Sequence, residues 1–142
     1  MTFDFLSDLN WLAVIVAALA YFAIGAVWYA PGVFGRRWAA AGGFDLPEAG
    51  NRPSPAIYLT PLIGSVLSAI ALGMIAAASG TDTFEEGIVL GLVVAVGFAI
   101  PIALVTAQFE TQKPKPMVWG AINGGYHVVG NMIAAIIVAS WQ

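Results

Sequence analysis

Cysteine is absent from this chain, and charge is scarce. Without cysteine there is no disulfide, no thiolate metal ligand and no thiol nucleophile. Charged residues make up 9 % of the sequence, where soluble domains carry roughly a quarter. A water-soluble domain of 142 residues could not coat itself with so little charge while hiding 60 % apolar residues. The five basic residues form no basic face, which excludes nucleic acid as a partner. The single histidine has no second histidine or intramembrane carboxylate to join it in holding a metal. A nucleophile elbow, a phosphate-binding loop and an HExxH motif are missing too, so neither enzymatic activity nor a cofactor is expected.

What is present is apolar length. A helix needs about 20 largely apolar residues to cross a bilayer. Four segments qualify, at about 9–30, 56–78, 87–109 and 117–141. The sequence therefore predicts an all-α integral membrane protein, a four-transmembrane-helix bundle that forms one domain over 1–142. Asp4 and Asp8 precede the first run where a signal peptide would carry basic residues, so that run is expected to remain as a helix.

The few charges are sorted. Arg36, Arg37 and Arg52 fall in the first connection, about 31–55, and Lys113 and Lys115 in the third. The middle connection and both ends carry no Lys or Arg. By the positive-inside rule the basic loops are cytoplasmic and both termini lie outside. The aromatic residues agree, with Trp11 and Trp141 at the outer interface and Trp28, Tyr29, Tyr58, Phe109 and Trp119 at the inner one.

Local signals fill in the connections. Val33–Ala41 predicts a short interfacial helix that ends at Gly42-Gly43, with Pro47, Pro53 and Pro55 keeping the rest extended. Thr83 is placed to cap the third span, with Glu85 and Glu86 in its first turn. Short links predict that consecutive spans are antiparallel neighbours. Close packing is expected through small residues four apart, chiefly Gly87, Gly91, Ala95, Ala99 and Ala103 in the third span and Gly120 and Gly124 in the fourth. Pro101 removes the hydrogen bond to the Gly97 carbonyl and predicts a kink.

One polar constellation lies inside the spans. Asn123, His127 and Asn131 recur every four residues on the fourth helix and form a stripe. His127 lies near mid-bilayer, and Gly97 and Pro101 bracket a similar depth, so the freed Gly97 carbonyl is expected to face it. Two readings fit. His127 either hydrogen-bonds that carbonyl, or a Ser65 or Ser68 hydroxyl, to hold the bundle. Alternatively it exchanges protons or lines a small polar pocket with the two asparagines. At the inner surface Trp28, Tyr29, Pro31, Phe34 and Trp38 accompany Arg36 and Arg37. These predict interfacial anchoring, or a docking surface for a partner protein or an anionic lipid headgroup.

The stretches Asn10-Trp11-Leu12-Ala13-Val14, Gly25-Ala26-Val27-Trp28-Tyr29-Ala30-Pro31 and Phe34-Gly35-Arg36-Arg37-Trp38 resemble a family of small bacterial membrane proteins of unknown function, DUF1761. Phe109-Glu110 and Ile122-Asn123-Gly124-Gly125-Tyr126-His127 continue the resemblance, which covers the whole chain. Ala30 stands where serine is usual before the proline. The resemblance implies a four-span protein of the bacterial inner membrane and no particular activity. The resulting expectation is a non-enzymatic membrane protein, a homo-oligomer or an accessory subunit of a larger membrane complex. The alternative is a small-solute or proton transporter or channel centred on the His127 stripe.

Overall fold

A computed structural model describes residues 3–47 and 54–141. Arg52 and Pro53 of the first connection lie outside the described residues. Four helical spans are long and apolar enough to cross a membrane: Trp11–Trp28, Pro55–Ser79, Phe84–Phe109 and Pro116–Ser140. No strand occurs among the described residues.

Each boundary has a local cause. The first span, α1 (Trp11–Trp28), starts where the Asn10 side-chain oxygen accepts from the amides of Leu12 and Ala13 at 3.1 and 3.2 Å. It stops short of Pro31, whose ring forces Ala30 into an extended conformation. A π-helical turn, Pro31–Gly35, then leads into the short helix α2 (Arg36–Gly42), which Gly43 ends in the left-handed conformation at φ 76°. The second span is a 3-10 turn, Pro55–Tyr58, followed by α3 (Leu59–Ser79). Thr83 and Glu86 cap the third span reciprocally, so it begins at Phe84, earlier than its apolar run suggests. That span is α4 (Phe84–Val94), a π-helical turn at Ala95–Ala99, and α5 (Ile100–Phe109). The fourth span is the single helix α6 (Pro116–Ser140).

The π-helical turn answers the proline two residues beyond it. Proline offers no N–H and crowds the carbonyl one turn back, and a wide turn relieves both by shifting the register by a residue. The Ile100 amide accordingly donates to Ala95, five residues back. The turn also keeps a packing row in line. In a regular helix each fourth residue lies about 40° further round, so a row of small residues drifts off its partner. With the wide turn inserted, Gly87 and Gly91 before it, Ala95 at its start, and Ala103 and Ala107 after it all meet or approach α6.

The helix order around the bundle departs from the short-link expectation. α6 is the centre and packs against α1, α3, α4 and α5, whereas the second and third spans touch only sparsely despite their short connection. The cause is the placement of small residues. At Gly87 and Gly91 an added Cβ would run into the backbone of Ile136 and Met132, and at Gly120 it would run into Ala107. These three glycines are where α6 and the third span approach most closely. Gly124 is looser, with room for a methyl group against Ala103. α1, α3 and α6 enclose a core of small residues such as Ala17, Ala69, Ala76, Ala134 and Ala135, with Leu72 and Tyr21 the most completely buried large side chains among the described residues. The third span is held on one side only. Val89, Phe98 and Ile102 on its outer face are 60, 64 and 66 % exposed.

Two glycines of the third span separate packing from helix propensity. Gly91→Ala is expected to destabilise the bundle by about 1–3 kcal/mol, because its methyl meets backbone. Gly97, which faces open space, should tolerate alanine or gain up to about 1 kcal/mol of helix stability. Unfolding titrations of the two variants in mixed micelles check the contrast.

Candidate functional site

The polar stripe of α6 meets the first span, and the arrangement can be built residue by residue. Tyr21, Gly25, Trp28 and Tyr29 recur at helical spacing and form one face of α1. α1 and α6 run antiparallel, so this face reads down the stripe as the stripe reads up. At the far end from the loops, the Asn10 amide donates to the Trp141 carbonyl at 3.0 Å and ties the start of α1 to the end of α6.

The middle of the interface is a three-residue cluster. The Tyr21 hydroxyl lies 2.7 Å from His127 Nδ1 and accepts from Asn131 Nδ2 at 3.0 Å. Asn131 Nδ2 also donates to the His127 carbonyl at 2.7 Å. That second bond settles the amide orientation, because a carbonyl only accepts and must face the NH2 group. Tyr21 therefore accepts from Asn131, and His127 Nδ1 is the only acceptor that its own proton reaches among the described residues. The imidazole hydrogen then resides on Nε2, which has no hydrogen-bond partner among the described residues. Tyr21 and Asn131 are buried and His127 is half-buried.

Room for the tyrosine comes from Gly130, where any Cβ would fall on the Tyr21 ring. Tyr126 fills the adjoining space, its ring centroid 5.3 Å from Tyr21, 4.9 Å from His127 and 5.5 Å from Tyr29. Its hydroxyl donates to the Tyr21 carbonyl at 3.5 Å.

A second cluster sits at the loop end of the same interface. Asn123 Oδ1 accepts from the Tyr29 hydroxyl at 2.7 Å and from Trp38 Nε1 at 3.1 Å. Because an indole N–H only donates, the atom facing it must be the amide oxygen. Trp28 Nε1 donates to the Ile122 carbonyl at 3.0 Å, and its ring passes over Gly125. The rings of Trp38 and Phe44 meet edge to face at 4.7 Å, and Trp38 and Tyr29 lie 4.8 Å apart. The Lys115 amide donates to Ala41 at 3.1 Å, which fastens the start of α6 to α2. Lys113 pairs with Glu110 at 3.2 Å and lies over the Trp119 ring.

Several sequence expectations are revised here. Trp28, Tyr29 and Trp38 turn their polar atoms inward to α6, so their N–H and O–H groups are not free for headgroups. They lock the first connection onto Asn123 and Ile122. Pro31, Arg36 and Arg37 remain exposed, and Phe34 stacks on Trp28 at 4.5 Å. Gly97 and Pro101 are exposed on the third span and lie outside the His127 cluster, because the row facing α6 runs through Gly91, Ala95 and Ala103. Ser65 donates to the Pro61 carbonyl of its own helix at 2.9 Å. The partner of His127 is Tyr21, which sequence reasoning missed along with Gly130. A tyrosine in mid-span was the available signal, since its hydroxyl must find a partner inside hydrocarbon.

The proton assignment predicts a single Nε2–H tautomer for His127, visible as one pair of imidazole 15N shifts. Tyr21→Phe should mix the tautomers and cost roughly 1 kcal/mol of bundle stability, in the range measured for hydrogen bonds between membrane helices. An unchanged 15N spectrum would contradict the assignment.

No curated protein and no solved structure matches the chain. The model of the family described as "Protein of unknown function (DUF1761)" matches residues 12–139, which include every residue of both clusters. The chain belongs to that family.

Proposed function

We propose that the protein is a non-enzymatic membrane protein that works through assembly, as a homo-oligomer or as an accessory subunit of a larger membrane complex. The observation that supports this reading is how its intramembrane polar groups are spent. Tyr21, Asn131, Asn123 Oδ1 and His127 Nδ1 bind one another or backbone across the α1–α6 interface. General acid–base work needs a positioned proton donor and acceptor facing a substrate, and these groups face each other instead. The basic loops lie on the cytoplasmic side of a bacterial inner membrane, and both termini lie outside. The apolar outer face of the third span is the natural surface for a neighbouring span.

The test is native mass spectrometry of the protein extracted in its own lipid. A discrete homo-oligomer, or a stoichiometric complex with other subunits, is the expected result. A monomer at every lipid-to-protein ratio overturns the assembly reading.

One observation favours a second reading, a transporter of protons or small solutes. His127 is half-buried and Nε2 lacks a partner among the described residues. Intramembrane ionisable groups commonly mark such paths. On this reading His127→Ala abolishes dye-detected proton flux in proteoliposomes while the variant still folds. Undiminished flux in a folded variant ends it.

A further inference from the structure

At the loop end of the bundle, α6 and the first connection leave an apolar groove. Its walls are Trp28 and Phe34 on one side and Met117, Val118, Ala121 and Ile122 on the other. The lining of this groove is almost entirely carbon. Trp28 spends its N–H on the Ile122 carbonyl, so only the carbon face of the indole is turned to the opening. Phe34 is fixed against that ring at 4.5 Å. Among the described residues, no side chain of either wall offers a hydrogen bond to a peptide or a polar solute.

Cations follow directly from both walls. Arg36 and Arg37 come immediately after the Phe34-Gly35 pair, and Lys115 stands two residues before Met117. All three are exposed, and the described residues place no carboxylate within ion-pair distance of them, since the ion pair there is Lys113–Glu110. An apolar slot whose walls are followed or preceded in the chain by exposed cations, with no carboxylate partner among the described residues, matches a molecule with a long acyl chain and an anionic phosphodiester. Guanidinium groups suit such a phosphodiester, because their fork of donors fits two of its oxygens.

We propose that this groove binds one anionic phospholipid, with an acyl chain along Trp28 and Ala121 and the phosphate held by Arg36 and Arg37, Lys115 adding charge. The site is independent of whether the protein assembles. It differs from general attraction of basic loops to an anionic surface, because that attraction requires no groove.

Trp28 reports on its own site. Quenching of tryptophan fluorescence is measured in nanodiscs of phosphatidylcholine that contain a small fraction of brominated-chain phosphatidylglycerol or brominated-chain phosphatidylcholine. The brominated phosphatidylglycerol is expected to quench at a fraction on the order of tenfold lower, from the attraction of two basic residues. Arg36→Gln with Arg37→Gln should remove that preference. Ala121→Phe, which fills the slot and leaves the charges in place, should remove it as well. Val118→Phe on the same wall serves if that variant does not fold. Trp28→Phe should abolish the selective component. Equal quenching by the two lipids overturns the proposal. So does a preference that survives the filled groove, which would leave surface charge alone, or one that survives Trp28→Phe, which would put the lipid elsewhere.

Discussion

Helices in hydrocarbon gain nothing by hiding leucine from lipid, so this bundle depends on how closely other backbones can approach α6. Gly87 and Gly91 bring the third span against it, Gly120 lets α5 in, and Gly130 admits the Tyr21 ring from α1. Each approach replaces lipid contacts with a larger number of short-range dispersion contacts. The consequence is a bundle organised around its fourth span rather than along chain order. Consecutive helices are neighbours only where the small residues permit it. The second and third spans, joined by a short acidic turn, scarcely touch.

Close approach also brings the polar groups into reach. Tyr21 could not meet His127 and Asn131 if a side chain stood at 130. Once these three meet, each of their side-chain polar protons has a partner among the described residues except the one on His127 Nε2. Such bonds are individually weak in membranes, because an unfolded helix also finds partners. Their larger effect is on register. A shift of α1 by one residue along α6 would separate Asn123 from Tyr29, Tyr21 from His127 and Asn10 from Trp141 together. The two clusters and the Asn10 clamp therefore act as three pins along one interface.

The spans, their number and most of their ends were legible in the sequence, because apolar length, prolines and capping residues act locally. Thr83 and Gly43 set boundaries where residue chemistry alone puts them, whereas Asn10, inside the expected first span, turns out to cap it. The stripe Asn123–His127–Asn131 was legible too, as a helical period. Its partners were not. Choosing Tyr21 over the Gly97 carbonyl requires knowing which helix faces which, and that depends on the summed fit of glycines distributed over three spans. Pro101 misled for a related reason. Its lost hydrogen bond is absorbed within its own helix by the wide turn at Ala95–Ala99, so nothing distant needs to repair it. The loop aromatics look interfacial by composition, and only tertiary contact shows their polar atoms bound to α6.

The central interface joins residues far apart in the chain. Tyr21 and His127 are separated by 106 positions, so during synthesis the first helix waits in the bilayer until the fourth emerges. For that interval the tyrosine hydroxyl and the helix faces that will meet α6 have no internal partner, although α1 and α3 can already pack on each other. The intermediate is a three-helix chain with polar and sticky surfaces turned to lipid. Surface exposed in this way favours premature association. Arrival of α6 satisfies all three earlier spans in one event, so folding of this small protein is concentrated in its last insertion step.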